Sequence, residues 1–246
     1  MMRALVLAAG LGTRLRPLTD VRAKPAIPVA GEPIIRRIAR WLATNGINEL
    51  VVNLHYLPHT VTAVLGDGSD LSVRVRYSWE QPTILGSAGG PRYALDIIGD
   101  DTFVVVNGDT LTDLNLSALV DAHLGSDALV TLALVPNREP QRYGGVLRLD
   151  DGTVTGFVAR GRAAACAYHF IGAQVVRADA FRQLPAGQPA KSIGGLYDEL
   201  IAARRGSIRG FVSDAEFWDI GTVRDYEETS AEFERREARA HRTSSR

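Results

Sequence analysis

The stretch LVLAAGLGTRLRPLTDVRAKPAIPVAGEPII, residues 5–35, decides the fold and the first functional hypothesis. It begins with an apolar run typical of a buried strand, and Gly10 and Gly12 follow directly. Glycine lets the backbone turn and approach a ligand closely, so the segment predicts a strand that ends in an accessible loop. Arg14 and Lys24 add positive charge behind it, which favours phosphate binding over a simple turn, because a turn needs neither residue.

Short apolar runs alternate with helical patterns through the rest of the first half. Continuous β-branched runs are typical of strands covered on both faces. Helices are predicted from Pro33 and over residues 116–124. This alternation predicts an α/β fold with a mostly parallel sheet and helices on both sides. The predicted strands are RALVLA from Arg3, ELVVNL from Glu49, FVVV from Phe103 and ALVTLALV from Ala128.

After Pro136 the pattern changes to alternating strands. VLRLDDGTVTGFV alternates around Asp151 and Gly152, which predicts a hairpin. A long strand is predicted through CAYHFIGAQVV, then two short helices and a strand near SIRGFV. Thr222 and Asp225 fit a capping box at the start of a final helix. The last residues, REARAHRTSSR, are expected to be frayed or disordered.

The composition excludes several classes of protein. Because 28 basic residues balance 28 acidic ones, a general affinity for nucleic acid or an anionic membrane is not expected. No run is long enough for a secretory signal or a membrane span, so a cytoplasmic location is expected. Cys166 is the single cysteine, which excludes an internal disulfide. Its neighbours suggest a small buried hydrophobe.

Motifs in order along nearly the whole chain resemble the signature of the sugar-1-phosphate nucleotidyltransferases. Any one of them could occur by chance, but the ordered set is specific. The motifs are LAAGLGTRLRPLT with KPAIPVAGEPII, ILGSAGG from Ile84, VVNGDTL from Val105, RYGGV from Arg142, FIGAQVV from Phe170 and FWDIGTVRDY from Phe217.

The resemblance implies a Rossmann-like three-layer fold with a mixed sheet and a small inserted sugar-binding β portion. A single nucleotidyltransferase domain is expected over residues 1–228, with its nucleotide-binding part over about 1–136. The sugar-binding part would cover about 137–215, with a metal aspartate and a closing helix after 216. A charged helical or disordered tail is expected over 229–246.

The implied reaction joins a nucleoside triphosphate to a sugar 1-phosphate, giving a nucleoside-diphosphate sugar and pyrophosphate, with Mg²⁺ as cofactor. Arg14, Lys24 and Asp109 match the family's catalytic positions, while Asp109 and Asp219 match its metal-binding aspartates. Magnesium accepts few carboxylates together with substrate oxygens and water, so two aspartates suffice. In isolation, each aspartate would be read as a turn or helix-cap residue, and Lys24 as a surface lysine.

The base pocket is expected between residues 7–10 and the LGSAGG turn. A carboxylate such as Glu80 can accept hydrogen bonds from guanine, whereas the Gln81 amide complements uracil or thymine, so the base stays open. The alternative for Glu80 is an exposed residue at a strand end. The expected nucleotide-binding residues are Leu7, Ala8, Ala9, Gly10, Gly12, Thr13, Arg14, Glu80, Gln81, Gly86, Ser87, Ala88 and Gly89.

Contacts to the sugar 1-phosphate are expected from Lys24, Gly144 and Gly172. Lys24 would bridge the phosphates of both substrates, and Gly144 matches a family position where the backbone contacts the sugar ring. The sequence departs from the family after GFV. Many relatives carry Glu-Lys-Pro where this chain has residues 159–161. Arg160 is a candidate to replace the phosphate-binding lysine, and its alternative is a solvated charge at a hairpin end. The glutamate that binds sugar hydroxyls has no obvious substitute.

The working hypothesis is a GTP-dependent enzyme acting on a mannose- or heptose-type 1-phosphate, with uridylyl or thymidylyl transfer as the alternative. A non-catalytic regulator that binds nucleotide sugars is a second class of hypothesis, because the sugar-binding glutamate is missing. A nicotinamide-dependent dehydrogenase would depend on an incomplete glycine fingerprint alone. The expected partners are the two small substrates, without nucleic acid or membrane, and a homo-oligomer stays open.

Overall fold

The computed structural model describes residues 2–99 and 101–244, with the side chains of the last helix described as far as Arg239. The strands are β1 (Arg3–Leu7), β2 (Pro28–Val29), β3 (Glu32–Pro33), β4 (Glu49–Leu54), β5 (Arg74–Trp79), β6 (Thr102–Asn107), β7 (Thr110–Thr112), β8 (Val130–Pro136), β9 (Gly145–Arg148), β10 (Val154–Val158), β11 (Tyr168–Arg177), β12 (Ile208–Val212) and β13 (Phe217–Asp219). The α-helices are α1 (Ile34–Thr44), α2 (Pro58–Leu65), α3 (Gly86–Ile98), α4 (Leu116–Leu124), α5 (Asp179–Arg182), α6 (Tyr197–Ala203) and α7 (Val223–Ser244).

A mixed sheet forms the centre of the fold. Within the described residues it has nine strands, in the order β10-β9-β11-β6-β1-β4-β5, with β8 paired to β11 and β12 paired to β8. The strands of the first half, β6, β1, β4 and β5, are parallel to one another. Strand β11 runs antiparallel to β6 and β8, so the expectation of a mostly parallel sheet holds only for the first half. The mixed sheet implied by the resemblance is confirmed.

Helices cover both faces of the sheet, which gives three layers. Successive residues of a strand point to opposite faces, so Leu5 of β1 packs in one core and Val6 in the other. The core around Leu5 includes residues of α3, α5 and α6. The core around Val6 includes residues of α1, α2 and α4, with Tyr226 and Phe233 of α7 packed against it. Burial on both faces explains the continuous apolar runs of the strands.

The LGSAGG segment forms the first turns of α3, not the isolated turn expected from its glycines. Residues 188–190 lie against it so closely that a Cβ at Gly89 would stand 2.4 Å from the Gln188 carbonyl oxygen. A Cβ at Gly90 would stand 2.6 Å from Glu80 Oε1. These glycines therefore permit close packing on a helix, a tertiary reason that composition alone does not reveal.

The final helix extends through most of the segment that was expected to be frayed or disordered. Helix α7 continues to Ser244, and residues 245 and 246 lie outside the described part of the chain. Ion pairs one turn apart, such as Arg236 Nε to Glu232 Oε1 at 2.9 Å, support its charged surface. None of the described helices combines the length and the apolar character needed to cross a bilayer.

Cys166 is exposed, which contradicts the prediction of a small buried hydrophobe. In the same run Ala164 and Ala167 are buried, because a short helical turn at Arg162–Ala164 leads into β11 there. A run of small residues has no apolar periodicity, so the sequence could not indicate which of them faces the core.

Candidate active site

The carboxyl ends of β1, β4 and β6 meet at one edge of the sheet. Leu7, the last residue of β1, is in register with Asn53 of β4 and Asn107 of β6. This edge is where open α/β sheets bind their ligands. Two neighbouring cavities lie there. The loop cavity, about 340 Å³, is lined by Leu7, Ala8, residues 10–15, Lys24, Pro25, Gly108, Asp109 and Gly221. The helix cavity, about 240 Å³, is lined by Leu7, Ala9, Gly10, Asn53, Ile84, Gly86, Ser87, Asn107 and Asp109.

The glycine loop after β1 leaves its backbone open towards the loop cavity. A Cβ at Gly10 would meet no described atom within 4 Å, so a ligand can approach its peptide groups. Gly12 adopts φ +62°, and its carbonyl accepts a hydrogen bond from Thr19 Oγ1 at 2.9 Å. A Cβ at Gly12 would stand 2.8 Å from Thr19 Cγ2. Both conformation and space therefore require glycine at this position.

Lys24 and Asp109 form an ion pair between the loop and the end of β6. The Nζ atom of Lys24 lies 2.5 Å from Asp109 Oδ2. The Lys24 side chain is only 9% exposed, whereas that of Asp109 is 33% exposed and faces the cavities. The alternative of a surface lysine is therefore wrong. A buried ammonium needs a charged or hydrogen-bonded partner, and Asp109 supplies one.

Asp219 lies beside Asp109 although 110 positions separate them in the sequence. Strand β13 pairs antiparallel with β7, which places Asp219 opposite Thr110. The backbone N–H of Ile220 donates to the Asp109 carbonyl oxygen at 3.1 Å. Burial and the neighbouring charge of Asp109 raise the pKa of Asp219, while Lys24 and Arg14 oppose that rise. The two carboxylates and the two cations therefore act on one another in a single site.

Arg14 approaches the same place from the short helical turn at Thr13–Leu15, in which Thr13 and Arg14 are exposed and Leu15 is buried. A Cβ at Gly221 would stand 3.4 Å from Arg14 Nη1 and 3.4 Å from Asp219 Oδ2. The guanidinium and the carboxylate thus flank Gly221, where a larger residue would crowd both. The arrangement offers a planar cationic fork and a buried ammonium next to two carboxylates, which suits a phosphate group and its metal ion.

The donor set fits Mg²⁺, the metal that the resemblance implies. Carboxylate oxygens are the hard ligands that Mg²⁺ prefers, and Asp109 and Asp219 offer two of them side by side. Burial, followed by the charge of Asp109, raises the pKa of Asp219, and a divalent cation would relieve the repulsion between the two carboxylates. Among the described residues there is no cluster of three or more metal-ligating side chains. Substrate oxygens and water would therefore complete the coordination sphere.

Glu80 does not face solvent or a ligand. It is 1% exposed, its Oε1 accepts from Asn53 Nδ2 at 2.6 Å, and its Oε2 accepts from the backbone N–H of Leu85 at 2.7 Å. The alternative of an exposed residue at a strand end is therefore wrong. The prediction that Glu80 contacts a base directly is wrong as well, because both of its carboxylate oxygens are bonded within the protein. Gln81, by contrast, is exposed. Glu80 therefore gives no preference for guanine.

The other residues expected around the base separate into two groups. Gly86 and Ser87 line the helix cavity together with Leu7, Ala9 and Gly10. Ala88 and Gly89 are buried, and their backbone N–H groups donate to the Ala190 carbonyl oxygen at 3.0 and 3.2 Å. These two N–H groups are thus bonded within the protein. The partner segment lies a hundred residues further along the chain, beyond the reach of a local pattern.

On the sugar-binding side, Gly144 and Gly172 each lie against another segment of the chain, whereas Arg160 is exposed. A Cβ at Gly172, where φ is +81°, would stand 2.6 Å from Asn107 Nδ2, because β11 runs beside the end of β6 as its antiparallel neighbour. A Cβ at Gly144 would stand 3.0 Å from the Val158 carbonyl oxygen. Arg160 is exposed and lines neither the loop cavity nor the helix cavity.

Arg142 and Asp225 form an ion pair next to the site, which the sequence did not predict. Arg142 Nη2 lies 2.7 Å from Asp225 Oδ1. The other oxygen of Asp225 accepts from the backbone N–H groups of Gly221 and Thr222 at 3.1 and 2.8 Å. The pair therefore joins the sugar-binding portion to the segment that follows Asp219. Both residues belong to motifs quoted above, RYGGV and TVRDY, and this is the signal that could have found them.

A glycine loop with two cations and two carboxylates at the carboxyl edge of a mixed α/β sheet is typical of the Rossmann-like nucleotide transferases, and the site falls in that class. Within the class, the chain belongs to the nucleotidyl transferase family, whose profile matches residues 3–236. The resemblance drawn from the motifs is thereby confirmed. The predicted enzyme class, the sugar-1-phosphate nucleotidyltransferases, is confirmed as well.

Relatives and solved structures agree with this assignment. The chain is 33% identical over 233 residues to a mannose-1-phosphate guanylyltransferase of Mycobacterium tuberculosis, of which it spans 64%. It is 35% identical over 232 residues to an N-acetylmuramate alpha-1-phosphate uridylyltransferase of Neisseria meningitidis, with 94% of this chain and 97% of the relative covered. The fold is similar to that of HddC from Yersinia pseudotuberculosis, with a TM-score of 0.81, 24% identity, and 95% of this chain and 100% of HddC covered.

Proposed function

We propose that this protein transfers a nucleoside monophosphate from a nucleoside triphosphate to a sugar 1-phosphate and releases pyrophosphate. The observation that carries the proposal is the gathering of Arg14, Lys24, Asp109 and Asp219 beside the glycine loop. A non-catalytic regulator would need the pocket but not this set of two cations and two carboxylates. The loss of the family's glutamate near Ala159 bears on which sugar binds, and less on the transfer itself.

In the proposed reaction, a phosphate oxygen of the sugar 1-phosphate attacks the α-phosphorus in line with the departing pyrophosphate. The main obstacle is the repulsion between two polyanions, so catalysis consists of positioning and charge stabilisation. The open backbone at Gly10 and the Arg14 fork would hold the triphosphate. Lys24 would exchange its contact with Asp109 for one with phosphate oxygens. Mg²⁺, held by Asp109 and Asp219, would neutralise charge on the phosphates.

The nucleoside and the sugar are narrower proposals. GTP with a mannose- or heptose-type 1-phosphate is supported by two relatives, the mannose enzyme and a D-glycero-alpha-D-manno-heptose 1-phosphate guanylyltransferase of Aneurinibacillus thermoaerophilus that is 27% identical. Uridylyl transfer is supported by the N-acetylmuramate relative, which matches this chain over almost its full length. The buried Glu80 does not favour guanine, and the exposed Gln81 lines neither cavity, so these two side chains do not choose between the bases.

The deciding experiment is a matrix of nucleoside triphosphates against sugar 1-phosphates, with Mg²⁺, scored by pyrophosphate formed. Asp109→Asn is expected to keep the fold and lower turnover by about a hundredfold or more, because it removes a charged metal ligand. Asp121→Asn changes an exposed aspartate of α4 and serves as the matched control. Pyrophosphate release by no pair, or full activity of Asp109→Asn, would contradict the proposal.

A further inference from the structure

A chain of buried hydrogen bonds lies beneath the helix cavity. The backbone N–H of Ala8 donates to Asn53 Oδ1 at 2.7 Å, and Asn53 Nδ2 donates to Glu80 Oε1 at 2.6 Å. The second oxygen of Glu80 accepts from the N–H of Leu85 at 2.7 Å. The four groups come from the loop after β1, the end of β4, the end of β5 and the start of α3. We call this set, Ala8, Asn53, Glu80 and Leu85, the relay.

The relay is shielded from water. Asn53 and Glu80 are 2% and 1% exposed. Helix α3 passes so close that a Cβ at Gly90 would stand 2.6 Å from Glu80 Oε1 and 2.9 Å from Asn53 Nδ2. A carboxylate only accepts hydrogen bonds, so Glu80 matches the two donors that face it. A buried polar network that is fully bonded holds its members rigidly, while one broken member leaves a costly unpaired group.

The two ends of the relay lie in two segments that line the helix cavity. Ala8 lies between Leu7 and Ala9 in the first segment, and Leu85 lies between Ile84 and Gly86 in the second. The three hydrogen bonds therefore tie these two walls of the cavity to each other. Other buried polar contacts, such as Tyr197 with Gln174, join elements within one core and leave the cavity walls untouched.

We propose that Asn53 and Glu80 are positioning residues that set the spacing of the helix cavity and, through it, the affinity for the base of the nucleoside triphosphate. Glu80 acts through Leu85 and Asn53 and does not touch the base. This inference rests on the proposed function, because that function assigns the helix cavity to the base.

Exchanging the two relay side chains tests the inference. Glu80→Gln places an amide N–H₂ against a donor, and Asn53→Asp places two carboxylates against each other. In the double variant, the new carboxylate at position 53 accepts from Ala8 and from the new amide at position 80, whose oxygen accepts from Leu85. All three hydrogen bonds and the net charge are then restored. The double variant therefore restores the relay with the carboxylate at position 53 and the amide at position 80.

For each variant, the KM values for UTP and GTP and for the sugar 1-phosphate are measured together with kcat and the melting temperature. Each single variant is expected to raise the KM of the accepted triphosphate about tenfold or more, with the KM of the sugar 1-phosphate and kcat within about twofold. The double variant is expected to return that KM to within about threefold of the starting value. Equilibrium binding of UTP and GTP repeats the comparison without turnover.

Tyr197→Phe is the control, because it removes a buried hydrogen bond between two residues that do not line the cavity and is expected to lower only the melting temperature. Single variants that lose thermal stability but keep the KM for the triphosphate would overturn the positioning role. Failure of the double variant to recover would overturn it too, as would equal changes in the KM of both substrates. If the unchanged protein neither binds nor uses any nucleoside triphosphate, the assignment of the cavity to a base fails, and with it the proposed function.

Discussion

At the scale of single residues, Arg14 is the exposed member of a group whose other cation is buried. Lys24 is held by Asp109 on the protein side, so its charge is partly compensated. Arg14 lies at the open side of Gly221, facing Asp219. A guanidinium keeps its charge at any working pH and can grip two phosphate oxygens at once. Arg14 is therefore expected to contribute to binding of the triphosphate and not to the stability of the fold.

Arg14→Ala is expected to lower kcat/KM for the triphosphate by about a hundredfold or more while leaving the melting temperature unchanged. The reason is the loss of a cation that faces charge developed during transfer. Steady-state assays of pyrophosphate release, paired with thermal unfolding, give the answer. Arg16→Ala removes a neighbouring arginine whose partner is the exposed Asp20 and should change neither quantity noticeably. Similar losses in both variants would refute a specific role for Arg14.

His123 links stability to pH. It is fully buried in α4, with Nδ1 2.8 Å from Thr131 Oγ1, and its Nε2 has no hydrogen-bond partner among the described residues. Burial, followed by the charge of Arg177, lowers the pKa of His123 to about 4. The pKa of the half-buried His169 is lowered to about 4 as well, chiefly by burial. Between about pH 4 and pH 6.5, both histidines are therefore mostly neutral in the folded protein, whereas the same side chains are mostly protonated in the unfolded chain.

Stability should thus fall as the pH drops below about 6.5, the ordinary histidine pKa, and the decline from His123 should end near pH 4. Between pH 7.5 and pH 5, His123 alone accounts for about 2 kcal/mol of the lost free energy of unfolding. His123→Gln stays neutral, so its loss over that interval should be smaller by this amount. Urea unfolding at the two pH values provides the comparison. Parallel pH profiles for the two proteins would exclude His123 as the cause.

At the scale of elements, the start of α7 is tied to the site by one side chain. Asp225 accepts from the backbone N–H groups of Gly221 and Thr222 and pairs with Arg142. Its own N–H donates to Thr222 Oγ1 at 3.2 Å, which completes the predicted capping box. Asp225 thus stabilises both the start of α7 and the segment that follows Asp219.

Asp225→Ala is expected to lower the free energy of unfolding by about 2 kcal/mol, the upper end for a helix cap, because an ion pair is lost with it. Thr222→Ala removes a single acceptor and should cost about 0.5–1 kcal/mol. Denaturant unfolding of both variants under the same buffer measures the difference. Equal costs would mean that the contact with Arg142 contributes nothing to stability.

At the scale of the whole molecule, the site unites distant parts of the chain. The loop after β1 brings Arg14 and Lys24, β6 leads to Asp109, and the short pairing of β7 with β13 brings Asp219. A ligand that bridges these groups must therefore stabilise the fold as a unit. In the proposed reaction, the like charges of the two aspartates would also make the binding of the metal and the binding of the triphosphate depend on each other.

Mg²⁺ with the accepted triphosphate should raise the melting temperature in proportion to the logarithm of ligand concentration. At one hundred times its Kd, the ligand adds about 2.7 kcal/mol to the free energy of unfolding. With EDTA in place of Mg²⁺ the shift should be clearly smaller, because phosphate charge then meets two bare carboxylates. Thermal unfolding with and without EDTA tests this. An identical shift under both conditions would argue against a metal between the aspartates and the phosphates.

The local features of the fold were predictable because their causes are local. The helix from Pro33, the helix over Leu116–Leu124 and the hairpin around Asp151 follow from residues within a few positions of one another. Strand β5 and helices α2 and α3 were missed. Glycines at the start of α3 and Pro58 at the start of α2 are typical of turns in a single sequence.

The sequence by itself determined the family, the order of the motifs and the residue types of the site, because these depend on spacing along the chain. Only the tertiary structure decided which groups meet. It turned Glu80 inward onto Asn53, left Arg160 outside both cavities, exposed Cys166 and paired Arg142 with Asp225. Each of these outcomes depends on partners far away in sequence, since burial and hydrogen bonding are decided by the surface that another element presents.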